Sequence, residues 1–297
     1  MKALRLPLGD GAELHLQHQG PDEGADVLYV HGSTFGCALS LFWPMEGRSW
    51  ADALAGAGLR AWGFDFLGYG QSSRYPEDGH LHGRGEEAVL QLLQVVRHIR
   101  QHNGRRPMHL LAHSWGGDVA LRAAVLRPAD IASLSLFAPV LPRPGPLERA
   151  ALPPLRAHTA WAQYRRFVED VPRGHAQVLD ERHFDAWARA YLASDPASAT
   201  RDPPSVLTPG GPAADLAELW NGCPAVDGGA VTQPLLLLRG EWDSVCDDAD
   251  AAAWLASVGS CIKQDVVIPA GTHLLHLESG RHALHAAVNR FLAPLTS

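Results

Sequence analysis

Lysine is nearly absent from this 297-residue sequence, with Lys2 and Lys263 the only two. The remaining positive charge is arginine, scattered rather than gathered into a stripe, and the formal charge is −7. A surface that tracks phosphates is poorly supported on that distribution, so nucleic acid is not an expected partner. No apolar run approaches the ~20 residues that a membrane-spanning helix needs. Met1 to Pro7 alternates and lacks the apolar centre of a secretory signal, so a cytoplasmic location is expected. Cys37, Cys223, Cys246 and Cys261 lie far apart with no CxxC pair. That spacing argues against a disulfide framework or structural zinc and suits reduced, packed thiols. Histidines are plentiful, yet His15/His18, His80/His82 and His282/His285 have no carboxylate or cysteine at ligand spacing, so no metal is expected. No Gly-rich phosphate fingerprint follows a strand, and no cofactor is implied. The Arg-for-Lys bias and abundant alanine point to a GC-rich bacterial genome. Nothing in the sequence reads on oligomeric state.

What is present is 46% hydrophobic residues in short runs punctuated by Gly, Pro and charged clusters. Lys2–Leu6, Glu13–Gln19 and Val27–Val30 read as strands; the second alternates as a half-exposed strand should, and the third is apolar on both faces. A helix over Ser49–Gly58, a strand over Arg60–Phe64 and a helix over Glu86–His102 follow. In the last of these Val89, Leu92, Leu93, Val96 and Ile99 share one face, and Asn103-Gly104 is the stop signal. Strand Met108–Ala112, helix Gly116–Leu126 and strand Ser133–Phe137 complete an alternation that predicts an α/β fold, a mostly parallel sheet with helices on both faces. From Leu141 to about Ala230 no strong strand is expected, only Pro-rich pieces flanking helices at His158–Val168 and Arg182–Leu192. Alternation resumes with strand Pro234–Arg239, helix Asp248–Val258, strand Lys263–Ile268 and helix Gly280–Leu292. The expected organisation is one core domain, residues 1–140 and 231–297, interrupted by a helical cap at 141–230.

The most informative stretch is Leu110-Leu111-Ala112-His113-Ser114-Trp115-Gly116-Gly117, a buried strand running into a small-x-Ser-x-Gly-Gly turn and then a helix. Small residues two before and two after the serine let strand and helix approach, as a nucleophile elbow requires. Ala112 stands where such motifs usually have glycine. The serine then sits at the N-terminus of a helix, whose dipole favours developing negative charge. A second backbone N–H must face the same spot as that of Trp115, and His31-Gly32-Ser33-Thr34-Phe35-Gly36 follows the third strand, where Gly32 lets the Ser33 amide turn inward.

His-Gly after the third strand, Ala-His-Ser-Trp-Gly-Gly after the fifth, and Asp65-Phe66-Leu67-Gly68-Tyr69-Gly70-Gln71-Ser72 between them resemble the α/β-hydrolase superfamily. The resemblance covers essentially the whole chain, least clearly the cap. It implies that Ser33 and Trp115 donate two oxyanion hydrogen bonds through their backbones. His31 is expected to pack and bond within its loop, His113 to face away from the reaction centre, and Asp65 to order the Gly68-Tyr69-Gly70 turn. In this fold the chain order is Ser, acid, His. Strand Leu235–Arg239 leads to Asp243, chosen over Glu241, Asp247 and Asp248 as the orienting acid. Strand Val266–Ile268 ends in Pro269-Ala270-Gly271-Thr272-His273, making His273 the expected base, with His276 returning to the core.

Such a set implies acyl transfer through a serine acyl-enzyme. Phe35, Phe42 and Trp43 near the oxyanion loop, with Trp161, Tyr164, Phe167, Trp187, Tyr191 and Trp220 of the cap, are expected to wall an apolar pocket. The expected partner is therefore a small apolar ester or lactone, or a thioester. A biosynthetic thioesterase or cyclase is the alternative, followed by a peptidase using Glu148, Glu169, Asp170, Asp180 or Glu181 for a free amine. A C–C hydrolase, a lyase and a non-catalytic ligand-binding member complete the range. Ser114 in the nucleophile position argues against the aspartate-dependent dehalogenases and epoxide hydrolases.

Overall fold

Two strands open the chain and pair antiparallel, β1 (Lys2–Pro7) with β2 (Glu13–Gln19), burying Leu14 and Leu16 on one face of β2. The computed structural model describes residues 1–9, 11–143, 145 and 152–296. β3 (Asp26–Val30) is buried throughout, as its unbroken apolar run predicts. Helix α1 (Trp50–Gly56) begins at a capping box, in which the Ser49 side chain accepts from the Asp52 N–H and the Asp52 carboxylate accepts from the Ser49 N–H. β4 (Arg60–Asp65) and the amphipathic α2 (Gly85–His102) follow; Val89, Leu92, Val96 and Ile99 are buried, as is Val95, while Leu93 is only partly so.

β5 (Met108–His113), α3 (Trp115–Leu126) and β6 (Ile131–Phe137) come next. After an excursion come β9 (Leu235–Gly240), α7 (Asp248–Ser257), β10 (Lys263–Ile268) and α8 (Arg281–Thr296); the excursion itself carries β7 (Leu155–Thr159), α4 (Ala160–Val168), α5 (Glu181–Ala193), β8 (Ser205–Pro209) and α6 (Gly211–Leu219). The main sheet runs β1-β2-β4-β3-β5-β6-β9-β10, antiparallel at β1/β2 and β2/β4 and parallel elsewhere. This is the α/β-hydrolase fold that the alternation predicts. Successive strand residues go to opposite faces. Leu28 and Val30 of β3 and Leu235 and Leu237 of β9 join the core beneath α2 and α3, whereas Val27, Tyr29, Leu236 and Leu238 join the one beneath α1 and α8.

The stretch between β6 and β9 is not purely helical. β7 and β8 form an antiparallel pair, Leu155 opposite Pro209 through Thr159 opposite Ser205. The expectation of no strand there is corrected by a pairing between segments distant in sequence, of which β7 is half exposed and carries Arg156 and His158. The alternation of Leu155-Arg156-Ala157-His158 is too short to signal such a pair by itself. A third apolar cluster seats this stretch on the core, with Phe167, Trp187, Tyr191 and Val206 packed on Phe35, Leu39, Met45, Leu274 and Leu277. The Trp187 indole N–H donates to the Leu39 carbonyl at 2.9 Å. Among the described residues, no helix is long and apolar enough to cross a membrane.

Asp26 anchors the start of β3 from inside the protein. Its carboxylate, fully buried, accepts from Arg60 Nε at 2.5 Å and Nη2 at 3.0 Å, from Trp62 Nε1 at 2.7 Å and from Asn103 Nδ2 at 2.8 Å. Removing one partner of a buried ion pair strands the other. Asp26→Ala is therefore expected to lower unfolding stability by about 3–5 kcal/mol in urea titration; a loss under about 1 kcal/mol would show that Arg60 finds water instead.

Candidate active site

β5 ends at His113 and α3 begins at Trp115, leaving Ser114 alone in the turn with φ 55° and ψ −127°. That backbone region is sparsely populated for a residue with a Cβ. It is held by the Ser114 N–H donating to the Phe137 carbonyl at 3.1 Å and by the Gly117 N–H donating back to the Ser114 carbonyl at 2.9 Å. Gly116 is required by contact: a Cβ there would stand 2.5 Å from the carbonyl oxygens of both Val30 and His31. A Cβ on Gly32 would lie 3.2 Å from Ser114 Cβ, so the loop after β3 passes directly beside the serine. Ala112 pairs with Val30 inside the core, where its methyl is fully buried.

The loops at the ends of β5, β9 and β10 converge on one line of hydrogen bonds. Ser114 Oγ lies 2.9 Å from His273 Nε2, and His273 Nδ1 lies 3.1 and 3.3 Å from the two carboxylate oxygens of Asp243. Asp243 Oδ1 also accepts from the N–H groups of Val245 at 2.9 Å and Cys246 at 3.3 Å. Burial alone would raise the Asp243 carboxyl, but the His273 imidazole and these amides outweigh it and hold it below the usual carboxylate range. The competing acids are engaged elsewhere. Glu241 accepts from the Ala270 N–H, Asp247 caps α7 through the Asp250 N–H, and Asp248 pairs with Arg239.

The Ser33 and Trp115 N–H groups have no acceptor among the described residues. The loop after β3 is ordered from behind. Asp65 accepts from the Cys37 N–H at 2.8 Å and the Gln71 N–H at 3.0 Å, and the Tyr69 hydroxyl donates to the Ser33 carbonyl at 2.9 Å. His31 Nε2 accepts from the Phe66 N–H at 3.0 Å, which leaves Nδ1–H to donate to the Gly32 carbonyl at 2.7 Å and fixes a neutral imidazole. The Trp115 indole donates to Asp215 at 2.9 Å, and Asp215 also accepts from Arg84 Nε at 2.5 Å and the Gly85 N–H at 2.7 Å. His113 stands at the cavity beside Ser114, but its ring is buried, stacked on Phe137 at 4.8 Å and against His276 at 4.6 Å, and its Nε2–H donates to the His273 carbonyl at 3.0 Å. Complete burial, with His276 and His273 nearby, keeps its ring neutral well below the usual histidine range. His276 is buried against Phe137 and Trp50, as a residue returning to the core.

A cavity of about 320 Å³ opens over Ser114, lined among others by Ser33, Phe35, His113, Ser114, Arg166, Glu169, Leu216, Trp220, Val245, His273 and Leu274. Of the aromatics expected to wall it, Phe35 and Trp220 do. Trp187 lies inside the third apolar cluster with Trp43 at its margin, and Phe42 packs beneath the sheet. Trp161 is 67% exposed and stacks on Tyr164 at 5.4 Å. The other side chains answer to the packing of the excursion on the core, and besides Trp220 the excursion reaches the cavity through Arg166, Glu169 and Leu216. A second cavity of about 330 Å³, lined by Arg97, Arg100, Arg105, Arg127 and Asp130 among others, lies apart from Ser114, and its Asp130 carboxylate is paired with Arg100 and Arg127.

Comparison with known proteins fits this geometry. A family model described as serine aminopeptidase, S33, matches residues 48–280. The chain belongs to this family. It is thus a hydrolase of the α/β-hydrolase superfamily. RutD of Variovorax paradoxus (strain S110), named for carbamate hydrolysis, is 32% identical over 123 residues, 41% of this chain and 41% of that one. The match thus spans about two-fifths of that relative's length. A thioesterase domain from the curacin biosynthetic pathway superposes with a TM-score of 0.67 at 18% identity, covering 97% of this chain and 99% of the other. An esterase from Thermogutta terrifontis gives 0.65 at 20% identity, with 100% of both chains covered. Identities this low make the likeness one of fold.

In this S33 chain the loop bearing His273 is tied down by a residue that sequence reasoning missed. Glu278, with no solvent exposure, accepts from the Thr272 hydroxyl and from the Thr272 N–H at 3.2 Å. Burial pushes its carboxyl up to about 7, against a lowering contribution from Thr272. The raised value has a definite sign. Between pH 4.5 and about 7 the folded chain keeps a proton that the unfolded chain has released, so this group's stabilisation is complete below 4.5 and is lost as pH rises. Unfolding free energy of wild type minus that of Glu278→Gln should fall by on the order of 3 kcal/mol from pH 4.5 to 8 and then level. A difference that stays flat would place Glu278 ionised in the folded protein.

Proposed function

We propose that this S33 hydrolase cleaves carboxylic esters or lactones of small molecules through an acyl-enzyme on Ser114. The observation that carries the reading is the unbroken run of hydrogen bonds from Asp243 through His273 to Ser114, beside two backbone N–H groups without acceptors among the described residues. Ser114 Oγ attacks the acyl carbon while His273 Nε2 takes its proton, and Asp243 stabilises the imidazolium and fixes the tautomer. The tetrahedral oxyanion receives the Ser33 and Trp115 N–H groups. As it collapses, His273 protonates the leaving alcohol. Water, deprotonated by His273, then attacks the ester on Ser114, and a second collapse releases the acid and restores the serine.

Residues 141–230 are read as a cap on a core of 1–140 and 231–297, supported by Arg166, Glu169, Leu216 and Trp220 reaching the cavity from that stretch. The four cysteines are unpaired, which supports a cytoplasmic location. Leu216, Val245, Leu274 and Phe35 give the cavity an apolar side suited to a small acyl or alkyl group. A thioester would use the same serine chemistry.

One observation favours a second reading, an aminopeptidase: Glu169 lines the cavity, and a carboxylate there would suit a free amine. Its carboxylate, however, is already bound by Arg166 Nη1 at 2.6 Å. Asp180 pairs with Arg182, Glu181 bonds the Tyr164 hydroxyl, and Glu148 lies outside the described residues. Hydrolysis of p-nitrophenyl butyrate but not of aminoacyl p-nitroanilides is the expected pattern.

With p-nitrophenyl butyrate, Asp243→Asn should cut kcat by about 10⁴ through the wrong histidine tautomer. Glu241→Gln should leave it near wild type. The reverse order would move the orienting role to Glu241.

A further inference from the structure

Arginines that are separated along the chain come together at the end of β5 opposite Ser114. The last turns of α2 bring Arg97, Arg100 and Gln101, the loop before β5 brings Arg105, and the turn after α3 brings Arg127 and Asp130; all of them line the cavity of about 330 Å³. Asp130, buried just before β6, ties two of them down. One of its carboxylate oxygens accepts from Arg100 Nη1, and the other pairs with Arg127 Nη2 at 2.9 Å. Arg100 donates its remaining nitrogens to the carbonyls of Arg106 at 3.1 Å and Arg105 at 2.9 Å. Those bonds fix the place of Arg105, which follows Gly104 in a left-handed turn with φ 63°. Arg97 stands about one turn before Arg100 on the same helix.

Charge sets this cavity apart. Four guanidiniums meet one carboxylate, and neither Arg97 nor Arg105 has an acidic partner among the described residues. The negative end of the α2 dipole favours a cation near the last turn, and Arg100 already supplies it. Three positive charges stay in excess on a chain whose formal charge is −7. Arg97, Arg105 and Arg127 are exposed, so their guanidiniums are within reach of a ligand from solvent. A guanidinium binds oxyanions through a planar fork, and a phosphoryl dianion offers three oxygens where a carboxylate offers two. Leu93 adds an apolar surface to the same cavity.

We propose that this cavity is a second binding site, apart from the reaction centre, that takes the phosphoryl group of a small molecule through Arg97, Arg105 and Arg127. Arg100 and Asp130 hold the site together, and the site is independent of the chemistry at Ser114.

Isothermal titration calorimetry with phenyl phosphate, inorganic phosphate and acetate, at one low ionic strength, tests this. Wild type should bind at least one of the two phosphates about tenfold or more tighter than acetate. Tighter binding of phenyl phosphate would assign the site to phosphate esters, and equal affinity to free phosphate; either result supports it. Arg97→Gln/Arg105→Gln should weaken phosphate binding about tenfold or more, and Arg127→Gln, which leaves Asp130 paired with Arg100, severalfold. Arg165→Gln/Arg189→Gln removes the same two charges from exposed positions outside the cavity and should bind as wild type, as should Ser114→Ala. Circular dichroism establishes that each variant is folded. No binding of either phosphate by wild type, or acetate bound as tightly, overturns the proposal. So does affinity unmoved in both folded cavity variants, or an equal loss in Arg165→Gln/Arg189→Gln, which would reduce the effect to net charge. Loss of binding in Ser114→Ala would place the anion at the reaction centre and overturn it as well.

Discussion

Ser114 occupies a backbone conformation with positive φ that would relax if the turn around it were free to move. Such strain costs on the order of 1–3 kcal/mol and persists only where the surroundings over-determine it. Here the surroundings are β3 and β6, the strands on either side of β5. The Val30 and His31 carbonyls press on Gly116 from one side, and the Phe137 carbonyl takes the Ser114 N–H from the other. The tight strand-to-helix turn therefore depends on the parallel β3-β5-β6 register, and that register depends on the apolar runs that bury both faces of these strands. Stability and reactivity meet at this turn, since the same packing that closes the core sets the hydroxyl out beside His273.

The rest of the site is arranged around that fixed point by loops braced from behind. Asp65 and Tyr69 hold the loop carrying Ser33, Val245 and Cys246 hold Asp243, and Thr272 with Glu278 holds the segment carrying His273. Each brace uses backbone N–H groups or a short side chain, so little rotamer freedom remains to be lost when a substrate arrives. The excursion between β6 and β9 joins this scheme at Asp170, whose carboxylate reaches the Ser244 hydroxyl next to Asp243.

Much of this was legible in the sequence because it is local. An apolar run followed by a small-x-Ser-x-Gly-Gly turn and an amphipathic stretch permits few structures, and the strand-turn-Asp and strand-loop-His segments are equally self-contained. The mostly parallel sheet follows from the alternation of strands and helices, whereas its strand order does not. What escaped was non-local. β7 and β8 are five residues each and find each other across a long separation, and most of the aromatics of α4 and α5 pack away from the cavity. Composition tells that Trp187 will be buried, not on which side. Glu278 left one signal that went unused: a carboxylate directly after Leu274-Leu275-His276-Leu277 is a charge in an apolar run, which calls for a buried partner. Trp220 stood among the aromatics expected at the cavity and lines it, whereas Arg166 carries no signal in the sequence.

The central claim is that Ser114 is an activated nucleophile, and intact-protein mass spectrometry after treatment with a fluorophosphonate tests it most directly. Wild type should gain the mass of a single adduct, and Ser114→Ala, folded as judged by circular dichroism, should gain none. Absence of an adduct on folded wild type, or an adduct that persists in Ser114→Ala, would contradict the account.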